Sequence, residues 1–536
     1  MPVTLSQTTS RYWVGDFHEG VILSAGIGSR LRPLTLHKPK CCVTVDGEPI
    51  LARQLRAYDD AGVTNVTVIA GYLADETKRI CERIDRQRPN LDITVRTSEV
   101  FANTDNMYSL SLAAKDVAGK EFVLSNGDVV FDTGLLETVV ESDADSAVAC
   151  DTEQFSEEAM KVSVDENDRL THIDKEISEA DAYGCSTDVY RFSADFSRML
   201  FEEITKTIER ENEYCEWTEL AIDTIVRNKN HDLSVADVSQ YRWVEIDDFT
   251  DLESADLLFS SLSSLESKEA IFFDLDGTVY LDDELVDDAK ARLETLQESG
   301  VDVYFLTNNS SRWKDDYVEK LNSLGVECDM NSLLLSTDGV IQFLADTDDE
   351  VFVLGTTAMR DALADHGIET DSDDPDHVVV GFDTELTYKK TREATLAIRN
   401  GATFLLAHPD AVCPTAEGMV PDCGSIGALV ERATDRKPDR IFGKPNAEMI
   451  QHVLDANGYA PEDVVVVGDR LETDVQLAEN VGCESVCVLT GDATRADVEQ
   501  SDIDPTLVAP SIEVLDQFIS VSSEASAQRV IDEGAS

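Results

Sequence analysis

Residues 270–280 read AIFFDLDGTVY. The apolar run AIFF has the unbroken hydrophobicity of a strand covered on both faces. It ends on two aspartates separated by one leucine, followed by Gly277 and Thr278. The Asp274 carboxylate is placed to attack phosphorus and form an aspartyl-phosphate, which divides one hard displacement into two. Asp276, two residues on, is placed to protonate the leaving oxygen and then to activate water. Gly277 lets the chain turn, and Thr278 ties the loop. An isolated Asp-x-Asp is common in an acidic chain. The apolar strand before this one and the Gly-Thr after it set it apart.

Three further stretches follow in order. YFLTNNSSR (304–312) puts Thr307 at a strand end, able to hydrogen-bond a phosphoryl oxygen, with Asn308 beside it. IFGKPN (441–446) offers Lys444 to pair with both phosphate and nucleophile. VVVVGDRLETDV (464–475) ends a strand with Asp469 and adds Asp474, hard oxygen donors for Mg2+. Together these motifs resemble the haloacid dehalogenase superfamily over residues 270–476. The Mg2+ ligand candidates of this half are Asp274, Asp276, Asp469 and Asp474. The 33 residues from Asp274 to Thr307 leave room for one helix and one strand, whereas the 137 from Thr307 to Lys444 hold a whole inserted α/β cap. The insert, about 340–435, includes VVVGFDTELTYKKTREATLAIRNGATFLLAHPDAVCP (378–414). It looks like the cap of the type IIA branch, the nitrophenylphosphatase and nucleotidase-like proteins. That resemblance implies a small phosphomonoester substrate selected by the cap. Within AHPD, His408 and Asp410 are candidates to face the site, although a lone histidine is more often structural.

Upstream, the same grammar of apolar strand, turn and amphipathic helix begins at VILSAGIGSRL, near residue 20. Strand–helix alternation in both halves predicts an α/β chain: two Rossmann-like, mainly parallel-sheet domains in tandem, the second with an inserted α/β cap. Ligands are then expected at the carboxyl ends of the strands. The boundaries read as an N-terminal extension 1–19, a first domain 20–257, a serine-rich linker 258–268, a second domain 269–520 and a polar tail 521–536.

AGIGSRLRPLTLHKPK (25–40) follows the first strand. No Gly-Lys-Ser/Thr makes it a Walker loop, and Leu31 stands where a dinucleotide fingerprint needs its third glycine. Ala25, Gly26 and Gly28 let backbone amides approach a phosphate chain, while Arg30 and Lys40 offset its charge. The stretch resembles the sugar-phosphate nucleotidyltransferase family, and the resemblance runs through residues 20–256. SEVFANTDNMYSLSLA (98–113) looks like the pocket-forming segment of phosphocholine and aminoethylphosphonate cytidylyltransferases. NGDVVFD (126–132) matches the family's strand-end aspartate. MKVSVDENDRLTHIDKE (160–176) looks like the segment with two lysines, here Lys161 and Lys175. EYCEWTELAI and WVEIDDFTDLESA resemble the close of the same subgroup. The resemblance implies Mg2+ held by Asp128 and Asp247, and in-line attack of a substrate phosphate on the α-phosphorus of an NTP with release of pyrophosphate. Glu245, Asp248 and Asp251 compete with Asp247 for the second position. Asn106, Tyr108 and Glu216 are acceptor-pocket candidates, with packing and helix capping as the other reading. Tyr108, Tyr183, Tyr214 and Trp217 are available for a quaternary-ammonium cage.

The 536 residues carry a formal charge of −63, with acid spread along the chain and lysine scarce. Such a surface repels nucleic acid and anionic lipid, so neither is expected as a partner, and it suits a high-salt cytoplasm where self-repulsion is screened. Eleven cysteines without metal-ligand spacing read as reduced, buried thiols. The start lacks a signal-peptide pattern and no apolar run reaches 18 residues, so a cytoplasmic protein without membrane spans is expected. The resulting expectation is a bifunctional Mg2+-dependent enzyme. One half transfers a nucleotidyl group from an NTP, CTP favoured, to a small phospho-alcohol, phosphonate or sugar phosphate. The other hydrolyses a phosphomonoester. A hexose-1-phosphate nucleotidyltransferase using UTP or dTTP, or one catalytically silent half, are the alternatives. A homo-oligomer is compatible with the sequence.

Overall fold

The computed structural model describes residues 19–153, 155, 159–211, 214–229, 232–262, 265–286, 289–345, 347–370, 372–415 and 418–518. The N-terminal extension up to residue 18 and the polar tail lie outside them. The chain divides into two compact units, Met1–Phe259 and Ser260–Ser536, each with its own α/β sheet system.

In the first unit the central strand Glu19–Ser24 pairs in parallel with Asn65–Ala70 and with Phe122–Asn126, and Asn65–Ala70 pairs in parallel with Asp92–Thr97. These strands alternate cleanly between two cores. Ile22, Val66, Val68 and Val123 pack with Leu51, Leu55 and Tyr58 on one face. Val21, Leu23, Ile69, Phe122 and Leu124 pack with Leu110, Tyr190 and Phe192 on the other. Glu19–Ser24, Asn65–Ala70 and Phe122–Asn126 are buried on both faces and so read as largely apolar runs, whereas the edge strand Asp92–Thr97 is mostly exposed or half-buried and reads DITVRT. The parallel core is extended on the Phe122–Asn126 side by antiparallel strands. Gly184–Phe192 pairs with Phe122–Asn126, Ala147–Asp151 and Lys161–Val164, and Leu170–Asp174 follows Lys161–Val164. Ser234–Asp237 completes the nine strands, parallel to Ala147–Asp151.

The second unit has a six-stranded parallel sheet in the spatial order Leu333–Leu335, Asp302–Thr307, Ala270–Asp274, Val464–Gly468, Glu484–Val488, Leu507–Ala509. Numbered along the chain this order is 3-2-1-4-5-6. The connections therefore diverge between the first and fourth strands, where a crevice opens beyond their carboxyl ends. The parallel part of the first unit has the same arrangement, with Glu19–Ser24 and Phe122–Asn126 at the divergence. The long separation between Thr307 and Lys444 holds a second parallel sheet, Val351–Leu354, His377–Val380, Thr403–Leu406 and Arg440–Ile441. It has a core of its own, including Leu354, Val378, Val380, Phe404, Leu406 and Val430. Of the serine-rich stretch, Leu265 is fully buried, and Lys268 Nζ lies 3.0 Å from a Glu484 carboxylate oxygen. No helix among the described residues is long and apolar enough to cross a membrane. Eight of the eleven cysteines are buried and Cys215 is exposed.

Candidate active sites

In the first unit the chain leaves the central strand at Ala25 and Gly26 and folds back through short helical turns to Lys40. Gly28 takes φ 65°, and a Cβ there would stand 2.9 Å from Lys40 Cβ. The loop closes on this residue: Gly28 O accepts from Thr35 Oγ1 at 2.7 Å and from Leu31 N at 3.1 Å. Lys40 is thereby buried, with Nζ 2.8 Å from both Asp128 Oδ2 and Asp247 Oδ1. Arg30 reaches the other Asp247 oxygen at 2.8 Å.

Each carboxylate has its own support. Gln54, buried on the helix Ile50–Asp60, donates to Asn126 O and Val129 O at 2.7 Å, which fixes the turn that carries Asp128. Asp247 and Glu245 arrive on a long-range pairing, because Trp243–Glu245 lies antiparallel to Val129–Phe131 and Ile246 N donates to Asp128 O. The competing acids separate here. Asp251 accepts from the backbone N–H of Asp247 and Asp248, and Asp248 from that of Thr250 and Asp251, so these two side chains cap the following helix. Carboxylate oxygens of Asp128, Glu245 and Asp247 lie within 4.8 Å of one another.

Burial works against the Lys40 ammonium, but Asp128 and Asp247 outweigh it and hold its pKa above the ordinary lysine value. Glu245 is pushed up to about 7 by burial and by Asp128 and Asp247. Burial also acts upward on Asp247, but Lys40 and Arg30 prevail and keep it low. Among the described residues the buried Asp128 Oδ1 has no hydrogen-bond partner. Hard oxygens crowded around one positive charge, one of them unsatisfied, fit a divalent cation such as Mg2+.

A cavity of about 260 Å³ opens beside this cluster, lined among others by Ala25, Gly26, Asn106, Asp128, Lys175 and Trp217. Asn106 also caps the helix Thr218–Lys229, accepting from Thr218 N at 2.8 Å. Lys175 lies over the Trp217 ring, Nζ 4.8 Å from its centroid. Tyr108, Lys161 and Glu216 are not in the lining. Tyr108 pairs with the Tyr214 ring, Lys161 Nζ donates to Lys175 O, and Glu216 O accepts from Met107 N. Of the four cage aromatics only Trp217 lines the cavity, and Lys175 already covers it. The sequence reading missed Asp188 and Glu219, which line the cavity with Asp105 and Glu245. Asp188 sits at a register shift in Gly184–Phe192 with φ 59°, bonded to Asn126 Nδ2 at 2.7 Å. Burial, then Glu245, Glu219 and Asp128, raise its pKa well above the usual carboxylate range. The visible signal was a lone carboxylate inside an otherwise buried strand.

In the second unit Asp274 ends the central strand and Asp469 follows the adjacent one. Lys444 Nζ contacts Asp274 Oδ1 and lies 2.6 Å from Asp474 Oδ1, all three side chains being buried. Oxygens of Asp274, Asp469 and Asp474 lie within 4.8 Å of one another; Asp276 is not in that cluster. Asp469 Oδ2 accepts from Asp492 N at 2.6 Å, and its Oδ1 is buried without a partner, so this donor set also fits a divalent cation. Burial and Asp474 push Asp469 up to about 6. Burial raises Asp274 well above its usual range, against the pull of Lys444. Asp276 is exposed, although protein surrounds its carboxyl group closely enough to desolvate it. That crowding raises its pKa despite Lys320, Lys444 and Arg470.

Gly277 makes the turn at φ 94°, and a Cβ there would stand 2.4 Å from Asp469 Oδ2. Thr307 lies buried at the end of its strand and accepts from Asn309 N at 3.1 Å. Asn308 brackets the lysine loop, accepting from Lys444 N at 2.7 Å and donating to Lys444 O at 3.1 Å. His408 is fully buried, and Asp410 touches Asn308.

Comparison with known proteins agrees with this division. Residues 19–255 match the nucleotidyl transferase family, 271–369 the haloacid dehalogenase-like hydrolases and 441–515 the HAD-hydrolase-like family. An acid sugar phosphatase of Staphylococcus aureus is 31% identical over 245 residues, 45% of this chain and 94% of that protein. Among solved structures, a 4-nitrophenylphosphatase from Thermotoga maritima is 38% identical, covering 47% of this chain and 98% of that one, with a TM-score of 0.46. A glycerol phosphate phosphatase from Mycobacterium tuberculosis in complex with magnesium is 29% identical over 47% of this chain and 78% of that one, with a TM-score of 0.45.

Proposed function

The chain belongs to the haloacid dehalogenase-like hydrolases and carries a nucleotidyl transferase domain ahead of them; on that premise we propose that one polypeptide joins a cytidylyltransferase for a small amine-bearing phospho-alcohol or phosphonate to a phosphatase of sugar or polyol phosphates. The observation that carries the proposal is the recurrence, at the strand divergence of two separate sheets, of a buried lysine between two carboxylates.

In the transferase, the backbone around Gly26 and Gly28 receives the phosphate chain, and Arg30 and Lys40 balance its charge. The acceptor's phosphoryl or phosphonyl oxygen attacks the α-phosphorus, the bond to the bridging oxygen breaks, and pyrophosphate leaves with the electron pair. Asp105, Asp128, Asp188, Glu219 and Glu245 line the acceptor cavity, with Asp188, Glu219 and Glu245 raised in pKa by burial, while among the described residues its one basic side chain, Lys175, lies on Trp217, so that an entering cation would draw the acids back to their charged form. Such a lining favours a cationic head group over a neutral hexose. Cytidine as the base rests on the resemblance of residues 98–113 to cytidylyltransferases.

In the phosphatase, Asp274 attacks phosphorus while Asp276 delivers a proton to the leaving oxygen; Asp276 then takes a proton from the water that cleaves the aspartyl-phosphate. The raised pKa of Asp276 suits a group that must begin as the acid. Thr307 and Lys444 hold the phosphoryl oxygens. Mg2+, held by Asp128, Asp247 and Glu245 in one unit and by Asp274, Asp469 and Asp474 in the other, would supply positive charge to the phosphate oxygens. The acidic surface belongs to the same proposal, as an adaptation to a high-salt cytoplasm. The test is pyrophosphate release over four NTPs against phosphocholine, aminoethylphosphonate and hexose 1-phosphates, with phosphate release from sugar and glycerol phosphates measured in parallel. Turnover with hexose 1-phosphates but none with amine-bearing acceptors would overturn the transferase assignment.

A further inference from the structure

Three titratable side chains of the inserted segment meet beside the catalytic loops of the second unit. His408, just after the strand Thr403–Leu406, is fully buried. Its Nδ1 lies 3.6 Å from Asp410 Oδ2, and its Nε2 lies 3.5 Å from Asp422 Oδ1. Among the described residues neither ring nitrogen makes a hydrogen bond, so the buried ring meets the two carboxyl groups at ion-pair distance. Burial, partly opposed by His408, raises the Asp422 carboxyl. Burial acts upward on Asp410 too, but His408, Lys444 and Arg470 hold it below its usual range. Of the two acids facing the ring, Asp410 is therefore the one held as the carboxylate.

Asp410 passes this constraint onward. Its Oδ1 accepts from Asn308 Nδ2 at 3.0 Å, and Arg470 stands 3.6 Å from its Oδ2. Asn308 brackets the backbone of Lys444 from both sides, and a Cβ on the preceding Gly443 would come within 2.5 Å of Asn308 Oδ1. Behind Asp410 the helix Cys423–Thr434 is seated on its backbone: Gly424 N donates to Asp410 O at 2.7 Å, and a Cβ on Gly424 would stand 2.1 Å from Pro409 O. Close approaches thus link Asp422 to His408 and His408 to Asp410, and hydrogen bonds run on from Asp410 through Asn308 to the backbone of Lys444, whose ammonium touches Asp274.

We propose that His408 is a positioning residue of the phosphatase reaction, fixing Asp410 and through Asn308 the backbone that presents Lys444 to Asp274. Two substitutions separate its two nitrogens. His408→Asn keeps an N–H near the Nδ1 position, facing Asp410, and abandons Asp422. His408→Gln reaches the Nε2 position, facing Asp422, and abandons Asp410. Hydrolysis of nitrophenyl phosphate is expected to keep kcat within about threefold in His408→Asn. In His408→Gln kcat should fall about tenfold or more with KM changed less than about twofold, because the group displaced stabilises the transition state rather than binding substrate. Amide hydrogen exchange across 441–446, read on the full chain, should quicken in His408→Gln and not in His408→Asn. An unchanged thermal unfolding midpoint of the second unit serves as the control for intact protein, and the wild-type phosphatase rate tests the enzymatic reading separately. If His408→Gln does not fold, Asp410→Asn is expected to give the same kcat loss and the same faster exchange. Equal effects of the Asn and Gln variants, or unchanged exchange at 441–446, would overturn the proposal. So would zinc or manganese that survives dialysis and disappears with His408→Asn.

Discussion

Asp274 and Asp276 stand two residues apart and differ in surroundings: Asp274 is buried against Lys444, and Asp276 opens to solvent. Their substitutions should differ accordingly. Asp274→Asn removes the nucleophile and is expected to lower phosphatase kcat by at least about a thousandfold on every substrate. Asp276→Asn removes only the acid. Its loss should be about 10²–10⁴-fold on an alkyl phosphate, whose leaving oxygen needs a proton, and much smaller on nitrophenyl phosphate. Equal losses on the two substrates would exclude Asp276 as the proton donor. In the first unit Asp128→Asn leaves Lys40 with one carboxylate and one neutral amide. Pyrophosphate release should fall at least about a hundredfold while circular dichroism stays unchanged. Phosphatase rates measured on the same preparation should not move.

At the scale of elements, Gly277 is where the turn after the central strand meets the next strand's carboxylate. Gly277→Ala adds a Cβ at 2.4 Å from Asp469 Oδ2 in a backbone conformation that costs an L-residue about 1–2 kcal/mol. The unfolding midpoint of the second unit should drop, and phosphatase kcat should fall at least about tenfold through displacement of Asp469. A variant with full activity would show that Asp469 has freedom the turn does not reveal. Elements differ in how far their sequence announces them. VILS, AIFF and VVVVG are legible as strands because both faces of a parallel sheet are covered, so local hydrophobicity alone carries the signal. Asp274, Lys444 and Asp128 are legible because each sits at a strand end or in a compact loop with a local signature. Glu245 is legible only as a rival of Asp247 and not as its companion, since its place depends on Trp243–Glu245 pairing with residues more than a hundred positions earlier. Asp188 depends on a register shift, and for Asn106, which is open in sequence to both a pocket and a capping role, the combination of the two depends on a helix 112 residues away. Where a side chain's role is set by a contact distant in sequence, the neighbouring residues hold no trace of it.

At the scale of the whole chain, 107 acidic residues against 44 basic ones repel one another in every folded state. Screening is needed to offset this: the Debye length is about 3 Å at 1 M salt and about 30 Å at 0.01 M. Lowering the salt to roughly tens of millimolar is therefore expected to reduce the thermal midpoint and both activities together. A midpoint unchanged between molar and dilute salt would refute the high-salt assignment.

The distribution of thiols has a practical consequence. Ten of the eleven cysteines are wholly or partly shielded, and Cys215 alone is exposed, two residues before the tryptophan that lines the acceptor cavity. A maleimide dye offered to the folded, unmodified chain should therefore react fastest at that one place, without any engineered handle. Excited through the Trp217 indole, such a dye would serve as an optical gauge of whether the cavity beside it is filled.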